Sequence, residues 1–238
     1  MALPTPTRNG GAGGQRPGSA DHDAGARLRA RDLPANAATG GQLVVIAGPS
    51  GVGKGAVVAR LLAALPDLEL SVSATTRRAR AGEADGRHYR FVDRARFDRM
   101  IAEGGFLEWA DIFGERYGTP RAPVERSLAA GRDVLVEIDV QGARQVRAAV
   151  PSAFMVFLTP PSLSELERRL RSRGTETDEQ IRRRLAKAAE ELAAEREFDA
   201  TVVNDDLDTA AREVIDLVAA RRRRTIGADV PHPGALPR

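Results

Sequence analysis

Short apolar runs alternate with helical patterns through the middle of the chain. The apolar runs predict core strands at 42–47, 69–73, 133–138, 154–158 and 201–203. Apolar residues at helical spacing predict helices at about 53–65, 121–130, 141–149, 162–172, 178–197 and 207–221. Strands that alternate with helices in this way favour an α/β fold with a central parallel sheet.

A different pattern fills residues 75–120. Residues 88–92 and 106–110 alternate between apolar and polar positions, as half-buried strands do, on either side of a short helix predicted at 94–103. We therefore expect a small β-rich subdomain inserted in the α/β core. Farther along, the polar and glycine-containing segment 171–178 lies between two predicted helices and suits a mobile lid.

The two ends of the chain differ from the middle in composition. Residues 1–40 have few large apolar side chains, so burial cannot offset the entropy of ordering them. We expect them to be a disordered extension or to precede the true translation start. Residues 223–238 contain three prolines and are expected to be a disordered tail. These boundaries leave 41–222 as the globular domain.

The charge and the rare residue types exclude several classes of function. The net charge is +3, but residues 1–40 and 221–238 contain five arginines each, and the domain between them has more acids than bases. The charge therefore does not predict nucleic-acid binding by the domain. With no cysteine and three histidines, neither a disulfide nor a zinc site is expected. No apolar run is long enough to span a membrane and no signal-peptide pattern is visible, so we expect a cytoplasmic protein.

The segment after the first predicted strand carries the clearest chemical signal. It reads Gly48-Pro49-Ser50-Gly51-Val52-Gly53-Lys54-Gly55. Glycines and a lysine at this spacing, between a buried strand and a helix, are typical of a P-loop, whose backbone N–H groups cradle phosphates while the lysine reaches the β- and γ-phosphates. Lys54 is one of only two lysines among 36 Lys and Arg residues, which indicates that a bulkier arginine does not serve at this position. The loop predicts that the chain binds a nucleoside triphosphate.

One residue departs from the P-loop pattern. Gly55 stands where the pattern has a serine or threonine whose hydroxyl is a magnesium ligand, and Ala56 follows it. Phosphate binding by the loop is unaffected by this change, but we expect no direct contact between the loop and magnesium.

Five separate motifs of the chain resemble the guanylate kinase family in order and spacing. They are Thr75–Phe91, Phe106–Trp109, Tyr117–Thr119, Glu137–Gly142 and Arg173–Thr177. The resemblance covers about residues 42–220 and implies a P-loop NTPase fold with a GMP-binding subdomain at about 74–125 and a helical lid at about 166–190. It also implies transfer of the γ-phosphoryl group of ATP to GMP or dGMP, with Mg²⁺ as cofactor, in purine nucleotide recycling.

Two arginines are candidates for binding the phosphate of GMP. Arg77 and Arg80 are three residues apart, and guanidinium groups bind phosphate through paired, charge-assisted hydrogen bonds. Taken alone, they could equally be two solvated arginines in an arginine-rich chain. The resemblance implies that Ser73, Tyr89 and Tyr117 add hydroxyl contacts to the phosphate or the base.

Glu108 is the candidate for guanine recognition. It lies in the apolar stretch Phe106–Trp109, where an unpaired carboxylate would be costly. Guanine offers N1–H and the 2-amino group to one carboxylate, whereas adenine would leave that carboxylate unsatisfied. Strand alternation also permits a Glu108 that faces water. Thr119 stands where the family often has serine, and its hydroxyl can still reach guanine O6 or N7.

The transfer chemistry is assigned to a strand end and to the lid. Val134–Asp139 is a buried strand that ends in two carboxylates. Asp139 is the candidate to orient magnesium through water, but an ordinary N-cap of the next helix fits it equally well. The resemblance implies that Glu137 faces the guanosine. It also implies that Arg169, Arg173 and Arg184 contact ATP and the transferring phosphoryl group, and no general base is needed because GMP phosphate is already ionised.

Two other interpretations remain open. A P-loop kinase of another small acceptor, such as a ribose phosphate, would share the architecture, although Glu108 favours guanine. A non-catalytic guanylate-kinase-like domain would bind phosphopeptides through Arg77 and Arg80, but such domains typically lose P-loop or lid residues, and Lys54 and Arg173 are present here. We expect ATP and GMP as partners, without specific nucleic acid or membrane binding, and the sequence allows a homo-oligomer.

Overall fold

The computed structural model describes residues 40–112, 114–172, 174 and 177–227. The strands are β1 (Leu43–Ala47), β2 (Leu68–Leu70), β3 (Ala74–Thr75), β4 (Arg90–Phe91), β5 (Phe106–Ile112), β6 (Glu115–Pro120), β7 (Asp133–Glu137), β8 (Phe154–Thr159) and β9 (Ala200–Val203). The helices are α1 (Lys54–Ala64), α2 (Arg94–Ala102), α3 (Arg121–Ala129), α4 (Val140–Ala149), α5 (Leu163–Ser172), α6 (Asp178–Leu192) and α7 (Leu207–Gly227). The predicted disordered ends, apart from residue 40 and residues 223–227, lie outside the described residues.

The five core strands form one parallel sheet, as the sequence predicted. Their order is β2-β7-β1-β8-β9, and each neighbouring pair runs parallel. Val44 and Ile46 of β1 pack with residues of α1 and α7, whereas Val45 and Ala47 pack with residues of α3 and α4. Because helices cover both faces, β1 is buried along its whole length, which explains its uninterrupted apolar sequence.

A second sheet lies within the segment where a β-rich subdomain was predicted. Its order is β4-β3-β6-β5, and α2 packs on it by stacking Phe97 on Phe106 with ring centroids 4.4 Å apart. The sequence indicated β4 and β5 but not β3 or β6. The strand β6 was missed because Glu115–Pro120 is polar and contains a glycine and a proline. Gly118 is needed there, since a Cβ would lie 2.8 Å from the Phe106 ring and 2.9 Å from the Trp109 side chain.

Four predicted elements have wrong boundaries. The strand predicted at 88–92 is only Arg90–Phe91. The helix predicted at 178–197 ends at Leu192, and a 3₁₀ turn at Glu195–Glu197 follows. Residues 193–197 favour helix locally, but the next residue, Phe198, packs against Phe157 with ring centroids 4.9 Å apart, so the chain turns to enter β9. The strand predicted at 69–73 is only Leu68–Leu70, because the chain leaves the sheet soon afterwards for β3. Helix α7 continues beyond the predicted residue 221 to Gly227.

The order of the strands determines where a ligand can bind. The central strand β1 lies between β7 and β8, and the P-loop begins at its carboxyl end. Ligands of open α/β sheets bind in the crevice at this edge. In the part of the chain that the structure describes, no helix is long and apolar enough to cross a bilayer.

Candidate active site

Three glycines of the P-loop, Gly48, Gly51 and Gly53, have positive φ angles, which other residues rarely adopt. Gly48 and Gly53 have φ angles of 147° and 98°. A Cβ at Gly48 would lie 2.2 Å from the carbonyl oxygen of Leu158, and a Cβ at Gly53 would lie 2.6 Å from Nδ2 of Asn204. The loop therefore wraps tightly enough for its N–H groups to converge on a phosphate.

Asn204 is a residue that the sequence analysis missed. It is buried directly after β9, and its Nδ2 donates a 2.7 Å hydrogen bond to the carbonyl oxygen of Val52 in the P-loop. A polar residue at the carboxyl end of a core strand was the available signal. This hydrogen bond from Asn204 holds the P-loop in place and requires no contact between Asn204 and a ligand.

Lys54 is folded back on the loop that carries it. Its Nζ donates to the carbonyl oxygens of Gly48 at 2.6 Å and Pro49 at 3.3 Å. Burial lowers the pKa of Lys54, and the nearby carboxylates, Glu137 foremost, oppose this shift. The ammonium group is thus desolvated and held by neutral oxygens, from which an anionic phosphate would attract it.

A cleft of about 600 Å³ brings most of the predicted site residues together. Its lining includes Gly48, Ser50, Gly51, Gly53, Lys54, Gly55, Ser73, Arg77, Arg80, Tyr89, Glu108, Tyr117, Glu137 and Asp139. Val52 and Thr119 are fully buried and do not line it. The P-loop and the strand ends of the parallel sheet form one wall, and the second sheet forms the other.

Arg77 is held in place by its neighbours. Its guanidinium makes hydrogen bonds of 3.0 and 2.8 Å to the two carboxylate oxygens of Glu83 and lies over the Tyr89 ring, 5.4 Å from its centroid. The hydrogen bond from Arg77, followed by one from the backbone of Arg80, lowers the pKa of Glu83 to about 2. Glu83 foremost, and Tyr117 after it, raise the pKa of Arg77. Glu83 lies in the motif Thr75–Phe91, but no role was predicted for it from the sequence.

Glu108 is buried, so the alternative of a water-facing side chain is wrong. Its exposed fraction is 3%, and one carboxylate oxygen accepts a 2.6 Å hydrogen bond from the Thr119 hydroxyl. Burial raises the pKa of Glu108 to about 7, against the opposing effect of Thr119. Glu108 is nevertheless one of the residues that line the cleft. A buried carboxylate of this kind is suited to accept two N–H donors from a ligand.

Helix α4 supports the strand that carries Glu108. A Cβ at Gly142 would lie 2.6 Å from Oε2 of Glu108, so the absence of a side chain there leaves space for the carboxylate. One turn later, the amide of Gln145 accepts from the Trp109 N–H at 3.1 Å and donates to the Trp109 carbonyl at 2.7 Å. This pairing of Gln145 with the backbone next to Glu108 holds β5 against the helix.

Asp139 is the N-cap of α4. Its Oδ1 accepts a 2.9 Å hydrogen bond from the Gly142 N–H, as the capping interpretation expected. Its Oδ2 lies 3.5 Å from Nζ of Lys187, and Asp139 is one of the residues that line the cleft. The cap uses one oxygen and leaves the other for a second role. At the end of β7, burial raises the pKa of Glu137 and Lys54 opposes that shift.

The predicted lid arginines differ in their placement. Nη1 of Arg184 is 3.5 Å from Oγ of Ser50 in the P-loop. Arg169 is not part of the cleft lining; it donates to Glu165 at 2.7 Å and to the Asn204 carbonyl at 2.9 Å. Arg173 lies outside the described residues.

Two further charged residues of α6 line the cleft and were not predicted. They are Lys187 and Glu191. The signal for Lys187 was available, because it is the second of the two lysines in the chain. Glu191 offered no such signal, since it is one of several acids in a helical run.

Comparison with known proteins relates this geometry to a family. The sequence profile described as guanylate kinase matches residues 40–221. The chain is 60% identical over 174 residues to the guanylate kinase of Synechococcus sp. (strain CC9902), covering 73% of this chain and 93% of that protein. It is 58% identical over 179 residues to the guanylate kinase of Thermobifida fusca (strain YX), covering 75% and 91%. The solved structure of guanylate kinase from Anaplasma phagocytophilum superposes with a TM-score of 0.64 at 30% identity, covering 82% of this chain and 97% of that one.

Proposed function

The chain belongs to the guanylate kinase family and phosphorylates GMP with ATP as the donor, and we propose that the cleft between its two sheets is where this reaction takes place. The observation that carries the proposal is the pairing, in one cleft, of a P-loop lysine with a buried carboxylate. Lys54 is suited to the phosphates of ATP, and Glu108 is suited to the guanine of GMP.

The second sheet supplies the acceptor site in this proposal. Arg77 and Arg80 bind the GMP phosphate with help from Ser73, Tyr89 and Tyr117, while Glu108 binds guanine. The support is the cleft that these six residues share and the prior orientation of Arg77 by Glu83, which reduces the entropy lost on binding. Thr119 is buried and donates to Glu108, so it acts on guanine through that carboxylate. Glu137 is assigned to the guanosine ribose. On that assignment dGMP, which lacks the 2′-hydroxyl, is a weaker acceptor than GMP.

The transfer itself needs positioning and positive charge. An oxygen of the GMP phosphate attacks the γ-phosphorus of ATP, and the bond from that phosphorus to the β–γ bridging oxygen breaks, leaving its electron pair on ADP. No proton has to be removed from the nucleophile, because the phosphate is ionised at neutral pH. We assign Lys54, Arg184, Arg169 and Arg173 to the charge that develops on the phosphates, with residues 166–190 acting as the lid.

Mg²⁺ is the proposed cofactor, and the donor atoms of the cleft fit it. Among the described residues no group of three or more His, Cys, Asp or Glu side chains could hold a metal by itself. Mg²⁺ does not require such a group, because it retains several waters and binds phosphate oxygens together with one or two carboxylates. Asp139, with one oxygen outside its capping bond, is the candidate protein partner, through water. The ion would neutralise phosphate charge when bound.

Gly55→Ser is predicted to lower the magnesium concentration needed for half-maximal rate several-fold. A Cβ at position 55 would lie 3.8 Å from both carboxylate oxygens of Glu137, so the side chain has room and its hydroxyl would restore the usual P-loop ligand. The measurement is initial rate against free Mg²⁺ at fixed, saturating nucleotide. Gly55→Ala is the matched control and should leave the magnesium requirement unchanged. An unchanged requirement in Gly55→Ser would show that residue 55 does not face the metal.

GMP binding is predicted to weaken at acidic pH because the carboxylate form of Glu108 is the acceptor. The pKa of Glu108 is about 7, so below that pH the dissociation constant of GMP should rise by up to about tenfold per pH unit, and it should level off above it. Calorimetric titration with GMP between pH 5.5 and 8.5 measures this. The GMP phosphate also titrates near pH 6. In Glu108→Gln only the titration of the GMP phosphate should affect binding. An identical pH profile in this variant and in the unmodified protein would contradict the prediction.

The acceptor assay tests the proposed site as a whole. ADP release is measured with GMP, dGMP, AMP, CMP and UMP, and we expect the highest kcat/KM with GMP. The ribose-phosphate kinase alternative predicts no preference for guanine, and a phosphopeptide-binding domain predicts no ADP release. We further propose a cytoplasmic role in purine nucleotide recycling, since GDP returns to the nucleotide pool. Cell fractionation tests that location.

A further inference from the structure

Both lysines of this chain line the same cleft. Lys54 and Lys187 are the only lysines among 36 Lys and Arg residues, and both belong to the cleft lining. The cations that line the cleft on the second sheet's side are arginines, Arg77 and Arg80, whereas those that line it at the P-loop and α6 are the two lysines. A chain that uses arginine almost everywhere has kept the compact ammonium group only where phosphates would meet.

Lys187 lies between two carboxylates without a tight bond to either. Its Nζ is 3.5 Å from Oδ2 of Asp139 and 3.6 Å from Oε1 of Glu191, and its side chain is 26% exposed. Charge-assisted N–H···O bonds are normally about 2.7–2.9 Å long. Burial raises the pKa of Glu191, and Lys187 is the first of the cations that oppose this shift. These two pairs place the ammonium beside both carboxylates.

Arginine pairs elsewhere in the chain behave differently. Arg144 donates to both carboxylate oxygens of Glu197, at 2.7 and 2.6 Å, and Arg77 pairs with Glu83 in the same bidentate manner. A guanidinium at position 187 could form such a fork with a neighbouring carboxylate and remain there. The Lys187 contacts with Asp139 and Glu191, at 3.5 and 3.6 Å, are longer than such a fork and are therefore exchanged more easily for an anionic ligand.

Lys187 also faces the reacting end of the cleft. Arg184, Lys187 and Glu191 are spaced at i, i+3 and i+7, so they share one face of α6. The first of them reaches the P-loop hydroxyl of Ser50. The positive charge of Lys187 is also one of the causes that lower the pKa of Lys54. Lys187 is thus close to the group that serves the β- and γ-phosphates.

We propose that Lys187 is a second ammonium catalyst of phosphoryl transfer. Asp139 and Glu191 hold it in the nucleotide-free protein, and it moves onto phosphate oxygens when ATP and GMP bind. The reaction is the one written above, in which the γ-phosphorus exchanges its bond to ADP for a bond to GMP, and no proton or additional reactant is involved. Lys187 balances the charge on the transferring group and on the leaving ADP. The inference rests on the proposed function of the cleft.

The test compares Lys187→Met and Lys187→Arg with Arg182→Met, which removes an exposed arginine from the same helix. At saturating ATP, GMP and Mg²⁺ we expect Lys187→Met to lower kcat and the single-turnover rate about 10- to 30-fold, with a GMP KM within about threefold of the unmodified protein. Lys187→Arg should recover less than half of the lost rate, and Arg182→Met should be unaffected. A Lys187→Met variant within twofold of normal kcat would overturn the inference, and a fully active Lys187→Arg would overturn the release step.

A double-mutant cycle separates direct action from positioning of Asp139. Asp139→Asn keeps the N-cap, so α4 should stay intact. If Lys187 contacts phosphate, Lys187→Met still lowers kcat several-fold in the Asp139→Asn background, although the factor need not equal that in the unmodified protein because the two side chains are in contact. If Lys187 only positions Asp139, Lys187→Met causes no further loss of kcat in the Asp139→Asn background, and the inference is wrong. An unmodified protein that forms no GDP would instead contradict the proposed function.

Discussion

Replacing Lys54 with methionine is expected to lower kcat by about 10²- to 10³-fold, the largest effect of any single substitution in the cleft. The ammonium acts on charge shared by the β- and γ-phosphates as the bond between them breaks, so its loss affects the transition state more than the ground state. GMP affinity should stay within about threefold of normal, because Arg77 and Arg80 are on the opposite wall. Steady-state kinetics and calorimetric GMP titration measure the two quantities.

Two variants make this prediction specific. Lys54→Arg keeps the charge but brings a bulkier group into a loop where Nζ fits 2.6 Å from the Gly48 carbonyl, and we expect it to be nearly as inactive as Lys54→Met. Arg60→Met removes an exposed cation from the same helix and should have normal turnover. Near-normal turnover in Lys54→Met would exclude Lys54 from the mechanism and support a non-catalytic binding domain.

Replacing Glu108 with alanine is expected to reduce the preference for GMP over AMP by at least about 2 kcal/mol, because two charge-assisted hydrogen bonds to guanine are lost. The buried carboxylate also rejects adenine, which would leave it without a donor. Both effects act in the same direction on the ratio of kcat/KM values for GMP and AMP. The ATP KM should change little, since Glu108 belongs to the opposite wall from the P-loop.

The control for this prediction lies on the same strand. Asp111→Asn changes an exposed carboxylate of β5 to an amide, as Glu108→Gln does at the buried position. We expect the base preference to be normal in Asp111→Asn and strongly reduced in Glu108→Gln, which replaces one acceptor oxygen with a donor. If AMP were as good an acceptor as GMP in the unmodified protein, the assignment of Glu108 to guanine would be incorrect.

The cations on the two sides of the cleft are held in different ways. Arg77 on the acceptor wall is fixed by a bidentate carboxylate and two aromatic rings, which suits a ligand that must be held in one orientation. At the P-loop and α6, Lys54 contacts carbonyl oxygens, and Lys187 makes long contacts to carboxylates. Both arrangements suit cations that bind phosphate oxygens when nucleotides arrive. Rigid binding of the acceptor and adjustable charge at the donor are what phosphoryl transfer requires.

The sequence by itself determined the parts of this protein that depend on local pattern. The P-loop and the five core strands were found, with wrong bounds only for β2, because a strand buried on both faces needs an unbroken apolar run and a phosphate cradle needs glycines at set positions. Local chemistry, together with the resemblance to the guanylate kinase family, grouped Arg77, Glu108 and Asp139 as candidates, and the fold places them in one cleft.

Only the tertiary structure decided the features that depend on contacts between distant segments. The burial of Glu108 follows from Thr119 and Gly142, which come from another strand and from α4. The polar strand β6 exists because β3 and β5 pair with it, and α6 ends early because Phe198 is drawn onto Phe157. Such contacts bring together residues far apart in the chain, and their packing and electrostatic energies outweigh local preference. The position of Lys187 beside Asp139 is of the same kind: its residue type was visible in the sequence, but its neighbours were set by the fold.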